Sequence, residues 1–318
     1  MCVVCGCGNG ETTMTLMDEA HEHGPANGHE HAHPHVHTHA DGTTHSHGDT
    51  HDVTHGRPHE HSHGDDRKHP HGHDHPHPHE HGHDHDHSHD LHVPGRDTQT
   101  MALETAILAK NQLLAERNRG WLAGRSVLAL NLMSSPGAGK TTLLERCIRD
   151  LKGQVEISVV EGDQATVNDA QRIRATGAAA VQVNTGTGCH LEADMLGRAM
   201  DVLQPAKGSL LVIENVGNLV CPALFDLGEN ARVVIFSVTE GEDKPLKYPH
   251  MFSSADVLLL SKTDLLPHLR VDLSVMTDNA LKVNPKLKIF PVSAYSGEGL
   301  DAWYGWLRAE LATTAAGG

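Results

Sequence analysis

One stretch in the middle of the chain constrains the fold more than any other. A mostly apolar run at residues 127–133 leads into Ser134-Ser-Pro-Gly-Ala-Gly-Lys-Thr-Thr142, and a helix-length segment follows at 143–151. A strand that runs into a glycine-rich loop and then into a helix is the context in which proteins bind phosphate groups on backbone amides. This stretch therefore predicts a phosphate-binding loop between the first strand and the next helix of an α/β domain.

The residue types in this loop suit a nucleotide with a bound Mg²⁺ ion. Glycines let backbone amides approach the phosphates, Lys140 supplies positive charge to the β and γ phosphates, and the Thr141 hydroxyl can hold Mg²⁺. Ser134 stands where such motifs have their first glycine. A glycine-rich turn without a ligand is the alternative. The candidate phosphate-binding residues are Gly137, Ala138, Gly139, Lys140, Thr141 and Thr142.

Seven apolar, β-branched runs alternate with helix-length segments from residue 127 onward. Continuous apolar strands that alternate with helices are typical of a mostly parallel sheet covered on both faces. Apolar residues at helical spacing, among them Leu103, Ile107 and Leu114, predict a further helix before the sheet, with Asp97 or Thr98 as its N-cap. The predicted strands cover residues 127–133, 155–160, 179–183, 210–213, 233–238, 257–260 and 289–292.

The amino-terminal part of the chain differs in composition from this domain. Residues 1–97 contain no Phe, Trp or Tyr and carry 17 Asp and Glu against 4 Lys and Arg, and residues 21–92 hold 27 of the 30 histidines. Such a segment cannot bury enough apolar surface to fold. We expect three parts: a cysteine segment at 1–20, a disordered histidine-rich tract at 21–97 without regular helix, and a domain at 98–318. The tract is expected to store metal, and a merely solubilising tail is the alternative.

The same composition also narrows the possible partners and location of the protein. The acidic balance disfavours nucleic acid as a partner, and no signal peptide or transmembrane segment is apparent, so we expect a cytoplasmic protein.

The type of base can be predicted from two later segments. Ser261-Lys-Thr-Asp264 ends a predicted strand and resembles the guanine-reading motif of GTPases, in which the carboxylate of Asp264 would accept two hydrogen bonds from guanine and Lys262 would lie along the base. Ser261 stands where that motif has asparagine. Ser293-Ala294 ends the next strand and resembles the last guanine-contacting motif. These segments predict GTP rather than ATP.

Two acidic residues are candidates for completing the Mg²⁺ site. Asp163 and Glu214 end strands beside the phosphate loop, and Asp163 is the preferred candidate. Either residue could instead be a helix N-cap or a surface charge. Lys140, Thr141 and Asp163 are the candidate catalytic residues.

Two groups of cysteine and histidine are candidates for binding a transition metal. Cys2, Cys5 and Cys7 suit nickel(II) or zinc, with half a zinc ribbon or a redox pair as alternatives. Cys189 and His190 follow one predicted strand and Cys221 follows another, and we expect those strands to be neighbours, with both ends facing the nucleotide. A buried cysteine is often only a small apolar residue, which is the expectation for Cys147 on an apolar helical stripe.

These motifs stand in the order found in one known family. The chain resembles the HypB family of hydrogenase nickel-incorporation GTPases over essentially its full length, through Cys-x-x-Cys-Gly-Cys, the histidine tract, the phosphate loop, Glu-Gly-Asp, Cys-His and Glu-Asn-Val-Gly-Asn-Leu-Val-Cys-Pro. The resemblance implies a P-loop GTPase fold, a tight nickel site at Cys2, Cys5 and Cys7, and a nickel or zinc site at Cys189, His190 and Cys221 near a dimer interface. It also implies nickel insertion into the hydrogenase large subunit with GTP hydrolysis, a HypA-type partner, and a homodimer that depends on GTP or metal.

Two alternatives stay open from the sequence. The urease-accessory GTPases are similar, but their metal motif is Cys-Pro-His, whereas Ala223 follows Cys221-Pro222 here. A nickel store with a regulatory GTPase domain is the second alternative.

Overall fold

The computed structural model of the chain describes residues 13–16, 35–38, 44–47, 98–163 and 168–317. The chain divides into two compact units, of which one comprises Met1–Glu19 with Pro94–Gly318 and the other comprises Ala20–Val93. Within the described residues, none of the helices combines the length and hydropathy that a bilayer span requires.

The described part of the histidine-rich unit is a short antiparallel pair of strands. After β1 (Thr13–Leu16), which belongs to the larger unit, β2 (His35–Thr38) pairs with β3 (Thr44–His47). The sequence predicts no regular structure here, so these eight residues differ from that prediction. The β-branched Val36, Thr38 and Thr44 favour extended backbone. Structure in the rest of 21–97 lies outside the described residues and stays a prediction.

The larger unit is built on one eight-stranded sheet. Its strand order is β1-β6-β5-β7-β4-β8-β9-β10, and β4 to β10 pair in parallel, which confirms the predicted seven-stranded parallel arrangement. The edge strand β1 pairs antiparallel with β6 and was not predicted. The parallel strands are β4 (Leu128–Ser134), β5 (Ile157–Asp163), β6 (Ala179–Asn184), β7 (Leu210–Glu214), β8 (Ala231–Ser237), β9 (Val257–Ser261) and β10 (Lys288–Pro291).

Helices cover both faces of this sheet. The predicted first helix is confirmed and begins at Thr98, and the helix predicted at 143–151 begins three residues earlier, at Lys140. The helices are α1 (Thr98–Gly124), α2 (Lys140–Asp150), α3 (Asn168–Arg174), α4 (Ala193–Leu203), α5 (Lys244–Lys247), α6 (Pro249–Ser253), α7 (Leu273–Val283) and α8 (Leu300–Ala316).

The core explains why the strands are apolar throughout. All seven residues of β4 are buried, and successive side chains of a strand point to opposite faces. Leu128 and Leu130 pack with residues of α2 and α8, whereas Ala129 packs in the cluster that includes residues of α1 and α4. The sheet is therefore buried on both faces, and polar residues are expected mainly at the strand ends.

The strand order fixes where a ligand can bind. β4 lies between β7 and β8, so both of its neighbours in the sheet come later in the chain. The order of the strands therefore changes direction at β4. In open α/β sheets, ligands bind in the crevice formed at such a point. The loop after β4 is the predicted phosphate loop.

Candidate nucleotide and metal sites

The phosphate loop has the backbone that its sequence predicts. Gly137 and Gly139 have φ angles of 75° and 96°, in the left-handed region, and α2 begins directly afterwards at Lys140. The amides at the start of a helix lack partners within the helix and attract anions. The Lys140 ammonium donates to the hydroxyl oxygen of Ser134 at 3.1 Å, so the lysine lies over the loop. The replacement of the usual first glycine by Ser134 therefore adds a contact that orients Lys140.

Glu240 and Lys244, which were not identified from the sequence, also hold the phosphate loop in place. The Ser135 hydroxyl donates to a carboxylate oxygen of Glu240, and the same oxygen accepts from the Lys244 ammonium at 2.5 Å. The other Glu240 oxygen accepts from the backbone amide of Ser237 at 2.9 Å. Ser237 and Glu240 have the spacing of a capping box, and this spacing in the sequence could have predicted their contact.

A buried acidic pair lies beside the start of α2. The Thr141 hydroxyl donates to Glu214 at 2.7 Å, and Glu214 pairs in register with Glu161 on the adjacent strand β5. Glu161 and Glu214 are 2% and 3% exposed, and one carboxyl oxygen of each has no hydrogen-bond partner among the described residues. Oxygen atoms in this state suit a hard cation with its bound waters, so the residues fit an Mg²⁺ ion.

Burial of these carboxyl groups changes their acidity. Loss of solvation, with smaller contributions from the nearby carboxylates of Glu214 and Asp163, raises the pKa of Glu161 to about 8, and Lys140 opposes the change. Burial also raises the pKa of Glu214, against the effects of Lys140 and the hydrogen bond from Thr141. In the absence of a cation the pair therefore favours the protonated form of Glu161 at neutral pH.

The other predicted residues of this region lie nearby in the fold. Asp163 is the last residue of β5 and is half-buried, whereas Glu214 ends β7, the strand next to β4. Thr142 lies on α2 and accepts a hydrogen bond from Arg172 at 3.0 Å.

The segment predicted to read guanine contacts the phosphate loop directly. The Ser261 hydroxyl donates to the Ala138 carbonyl at 2.7 Å, and the Lys262 ammonium donates to the Gly137 carbonyl at the same distance. Ser261 therefore holds the end of β9 against the phosphate loop, although it stands where the guanine-reading motif has asparagine. Lys262 adopts a left-handed backbone with φ 63°.

The two predicted base-contacting segments meet each other. The Ser293 hydroxyl donates to the carboxylate of Asp264 at 2.6 Å and accepts from the backbone amide of Ser296 at 3.0 Å. β10 ends at Pro291, so Ser293 and Ala294 lie in the following loop rather than in the strand. The structure thus brings Asp264, Ser293 and Ala294 to one edge of the sheet.

Cys189, His190 and Cys221 form a cluster that can hold a metal ion. Their ligand atoms all lie within 4.8 Å of one another, with the two sulfur atoms 2.9 Å apart and the Cys189 sulfur 3.7 Å from Nδ1 of His190. Two sulfur donors and an imidazole suit zinc or nickel, and a fourth position would be left open. The predicted grouping of these three residues is present in the structure.

The strands that carry this cluster are not neighbours, which corrects the expectation from the sequence. β5 lies between β6 and β7, so the loops must cross its end. Gly162 makes this possible, because a β-carbon there would lie 2.8 Å from the Leu191 side chain. In the pattern Glu-Gly-Asp, the glycine that allows this close contact thus lies between two acidic residues. The contact could not be predicted, because the spacing of the strands along the chain does not reveal their order in the sheet.

Asn215 joins the sheet to the loop between β6 and α4 that carries Cys189 and His190, which we call the metal loop. Its side-chain oxygen accepts from the amide of Leu191 at 3.1 Å, and its amide nitrogen donates to Asn131 of β4 at 3.2 Å. Asn215 is 1% exposed and directly follows Glu214, the residue that contacts Thr141. Consecutive residues therefore contact the start of α2 and the residue that follows His190.

His190 is buried beside an aromatic ring. Its ring lies 4.0 Å from the ring of Phe225, centroid to centroid, and only 5% of the residue is exposed. Burial lowers its pKa to about 4, which keeps the imidazole neutral and able to bind a metal at neutral pH. The other predicted metal residues, Cys2, Cys5 and Cys7, lie outside the described residues.

The fold and the loop together define a class of protein. A parallel sheet with a Gly-Lys-Thr loop at its switch point and a guanine-type motif after β9 is the architecture of a P-loop GTPase. The family model described as CobW/HypB/UreG, nucleotide-binding domain, matches residues 128–291. The chain belongs to this family.

Its most similar relatives include hydrogenase maturation factors. The chain is 56% identical over 226 residues to the hydrogenase maturation factor HypB of Rhizobium leguminosarum bv. viciae, a match that covers 71% of this chain and 76% of that protein. It is 56% identical over 220 residues to HypB of Escherichia coli (strain K12), covering 69% and 76%. A Helicobacter pylori relative named hydrogenase/urease maturation factor HypB is 39% identical, covering 67% of this chain and 89% of the relative.

Solved structures support the same assignment. HypB from Archaeoglobus fulgidus is similar with a TM-score of 0.61 and 40% identity, covering 64% of this chain and 100% of that one. HypB from Helicobacter pylori in complex with nickel has a TM-score of 0.62 and 39% identity, covering 65% and 97%. The similarity confirms the predicted α/β P-loop fold.

Proposed function

We propose that the protein is a GTP-hydrolysing nickel metallochaperone that delivers nickel for insertion into the large subunit of a [NiFe]-hydrogenase. One observation carries the proposal: of two consecutive residues, Asn215 accepts from the amide of Leu191, which directly follows His190 of the Cys/His cluster, and Glu214 accepts from Thr141 of the nucleotide site. A metal site whose loop is joined through consecutive residues to the helix of the phosphate loop can respond to the nucleotide. The relatives named hydrogenase maturation factors and the HypB structure with nickel support the choice of metal and process.

The nucleotide in this proposal is GTP with Mg²⁺. Asp264 reads the base, with Ser293 holding its carboxylate, and Lys262, Ala294 and the phosphate loop complete the pocket. Lys140 neutralises phosphate charge. Thr141 would hold the Mg²⁺ ion, with Asp163 and Glu214 as its acidic partners, directly or through water.

The metal in the Cys/His cluster is nickel during delivery, and zinc is the competing ion for the same donors. Cys2, Cys5 and Cys7 form a separate tight nickel site in the proposal, and the histidine tract holds further nickel at lower affinity. The partners are the hydrogenase large-subunit precursor and a HypA-type nickel and zinc accessory protein. A homodimer that depends on GTP or metal, and a cytoplasmic location, complete the proposal.

A nickel titration in defined nucleotide states tests the link between the sites. Nickel affinity would be measured with GDP and with a non-hydrolysable GTP analogue, in a protein with Cys2, Cys5 and Cys7 changed to Ser, so that the tight amino-terminal site is silent. We expect the affinity of the cluster to differ about 5- to 150-fold between the states, the range of typical allosteric coupling.

Two matched variants make the titration specific. Cys189→Ser removes the cluster and leaves the histidine tract as background, so the nucleotide-dependent component should vanish. Asn215→Ala keeps all three ligands and should reduce the coupling, whereas Asn218→Ala, which removes a 3.4 Å contact to the Cys189 carbonyl, should reduce it less. Nickel binding that ignores the nucleotide in the parent would contradict the proposal.

The histidine tract favours a second candidate, a nickel store with a regulatory GTPase domain. Residues 21–92 hold 27 of the 30 histidines. Deletion of 21–92 distinguishes the candidates, because a chaperone should still support hydrogenase maturation at high nickel and a store should lose its function. A urease-accessory role is disfavoured by Cys221-Pro222-Ala223 in place of Cys-Pro-His.

A further inference from the structure

Arg146 connects the phosphate-loop helix to the loop after β10. It lies on α2, less than two turns after Lys140, and one of its terminal nitrogens donates to the backbone carbonyl of Ala294 at 3.2 Å. Ala294 directly follows Ser293, whose hydroxyl holds the Asp264 carboxylate. One side chain on the helix of the phosphate loop therefore contacts the backbone next to the residue that orients the base-reading carboxylate.

The guanidinium is itself held by Asp150 of its own helix, and Asp150 is held in turn by a residue of α8. Its Nε donates to Asp150 at 2.7 Å, one turn further along α2, and the same Asp150 oxygen accepts from the Tyr304 hydroxyl of α8 at 2.9 Å. The Arg146 and Asp150 side chains are only 33% and 30% exposed. An arginine with a fixed partner on its own helix loses little further freedom when it contacts a carbonyl. The contact is therefore preorganised.

The loop is shaped to accept the guanidinium. Gly297 has a φ angle of 85°, and a β-carbon at this position would lie 2.9 Å from a terminal nitrogen of Arg146. Its amide donates to the Ser293 carbonyl at 2.9 Å, so the loop closes on itself around Ser293. The close approach of Arg146 thus depends on the absence of a side chain at 297.

We propose that Arg146 is a positioning residue for guanine recognition, which acts by fixing the loop at 293–297 so that Ser293 holds Asp264 in its base-reading geometry. The inference rests on the proposed guanine nucleotide. Arg146 touches neither the base nor the phosphates in this account. It transmits the position of α2, and hence of the phosphate loop, to the residues that read the base.

The proposal predicts a specific loss of base discrimination. Guanine presents N1–H and a 2-amino group to a carboxylate, whereas hypoxanthine presents only N1–H. A displaced Asp264 should therefore lose more with GDP than with inosine diphosphate. In Arg146→Ala we expect the GDP affinity, and its ratio to the inosine diphosphate affinity, to fall about five- to tenfold, as for loss of one hydrogen bond. The affinity for inosine diphosphate should change by less than about twofold.

Matched variants separate this role from a general effect on folding. Arg149→Ala removes a more exposed arginine of the same helix, paired with Glu145 at 3.6 Å, and should leave both affinities unchanged. Arg146→Lys keeps the charge beside Asp150 but cannot span both partners, so it should lose discrimination as Arg146→Ala does. It also serves if the alanine variant does not fold. Tyr304→Phe should give a smaller loss in the same direction.

The measurement is a titration of each full-length variant with fluorescent GDP and competing inosine and adenosine diphosphates. If both affinities fall by the same factor, or if the GDP preference of Arg146→Ala equals that of the parent, the positioning role is refuted. A parent protein with no preference for GDP over the other two would instead refute the guanine site, and the inference with it.

Discussion

Glu161 offers a direct test of the buried acidic pair. The residue is 2% exposed and pairs in register with Glu214, and burial together with nearby carboxylates raises the pKa of its carboxyl group from 4.5 to about 8. A carboxyl whose pKa is raised by folding contributes stability below its unfolded pKa and loses it as pH rises through the folded value. The contribution of Glu161 to the free energy of unfolding of the nucleotide-free protein should therefore fall between about pH 4.5 and 8.

The size of the effect follows from the same pKa. Each pH unit in this interval costs about 1.4 kcal/mol, so the cost of Glu161 is under about 1 kcal/mol at pH 5 and about 3 kcal/mol at pH 7. Glu161→Gln keeps the shape of the side chain and cannot ionise. It should stabilise the nucleotide-free protein by about 3 kcal/mol at pH 7, which corresponds to about 6 to 12 °C in Tm for a domain of this size.

The assay is thermal and denaturant unfolding of parent and Glu161→Gln at pH 5 and pH 7, with Mg²⁺ and nucleotide removed. The other ionisable groups, including the histidines of the tract, are common to both proteins, so their effects cancel in the difference. Glu298→Gln changes an exposed glutamate and serves as the control. Added Mg²⁺ and GDP should narrow the difference, because a cation near the pair favours the ionised parent.

Two results would refute this reasoning. An equal difference between parent and variant at pH 5 and pH 7 would show that Glu161 does not titrate in this range in the folded protein. A variant that is less stable than the parent at pH 7 would show that the ionised carboxylate is satisfied without a bound cation.

Three further predictions concern single residues of the two sites and the core. Asp264→Asn should weaken GDP binding about 100-fold or more and admit xanthosine diphosphate, whose extra carbonyl complements the amide; equal GDP binding in a fluorescence titration would contradict this. Lys140→Ala should abolish phosphate release from GTP and hydrogenase maturation but retain the tight nickel of Cys2, Cys5 and Cys7; parallel loss of that nickel would show that the sites are not separate. Cys147 is buried with its pKa raised to about 11, so a thiol reagent at pH 8 should modify it only after denaturation, as peptide mass analysis would show.

The sequence was sufficient wherever the signal was local. The loop at 134–142 was predicted because strand, Gly-Lys-Thr and helix follow one another, and β4 and α2 confirm that arrangement. The seven parallel strands were predicted because a sheet covered on both faces needs apolar residues at every position, and β4 is buried throughout.

Contacts that depend on the order of the strands were not predicted. Glu161 meets Glu214 only because β5 lies beside β7, and the loop of Cys189 crosses β5 only because β6 lies beyond it. The spacing of the strands along the chain carries no information on their order in the sheet. For this reason the strands that precede Cys189 and Cys221 were wrongly expected to be neighbours. Arg146 was missed for the same reason, since its partner Ala294 is 148 residues away in sequence.

The carboxyl end of β7 provides a physical link between the two sites. Glu214 accepts from Thr141, which would hold Mg²⁺, and the next residue, Asn215, accepts from the amide that follows His190. Because Asn215 is also bound to Asn131 of β4, it cannot follow a movement of the metal loop without losing a contact to the sheet. A shift of about an ångström would therefore break one of these hydrogen bonds, at about 1 kcal/mol or roughly fivefold in affinity. This is the lower end of the coupling expected in the nickel titration, and linkage requires nickel to change nucleotide affinity by the same factor.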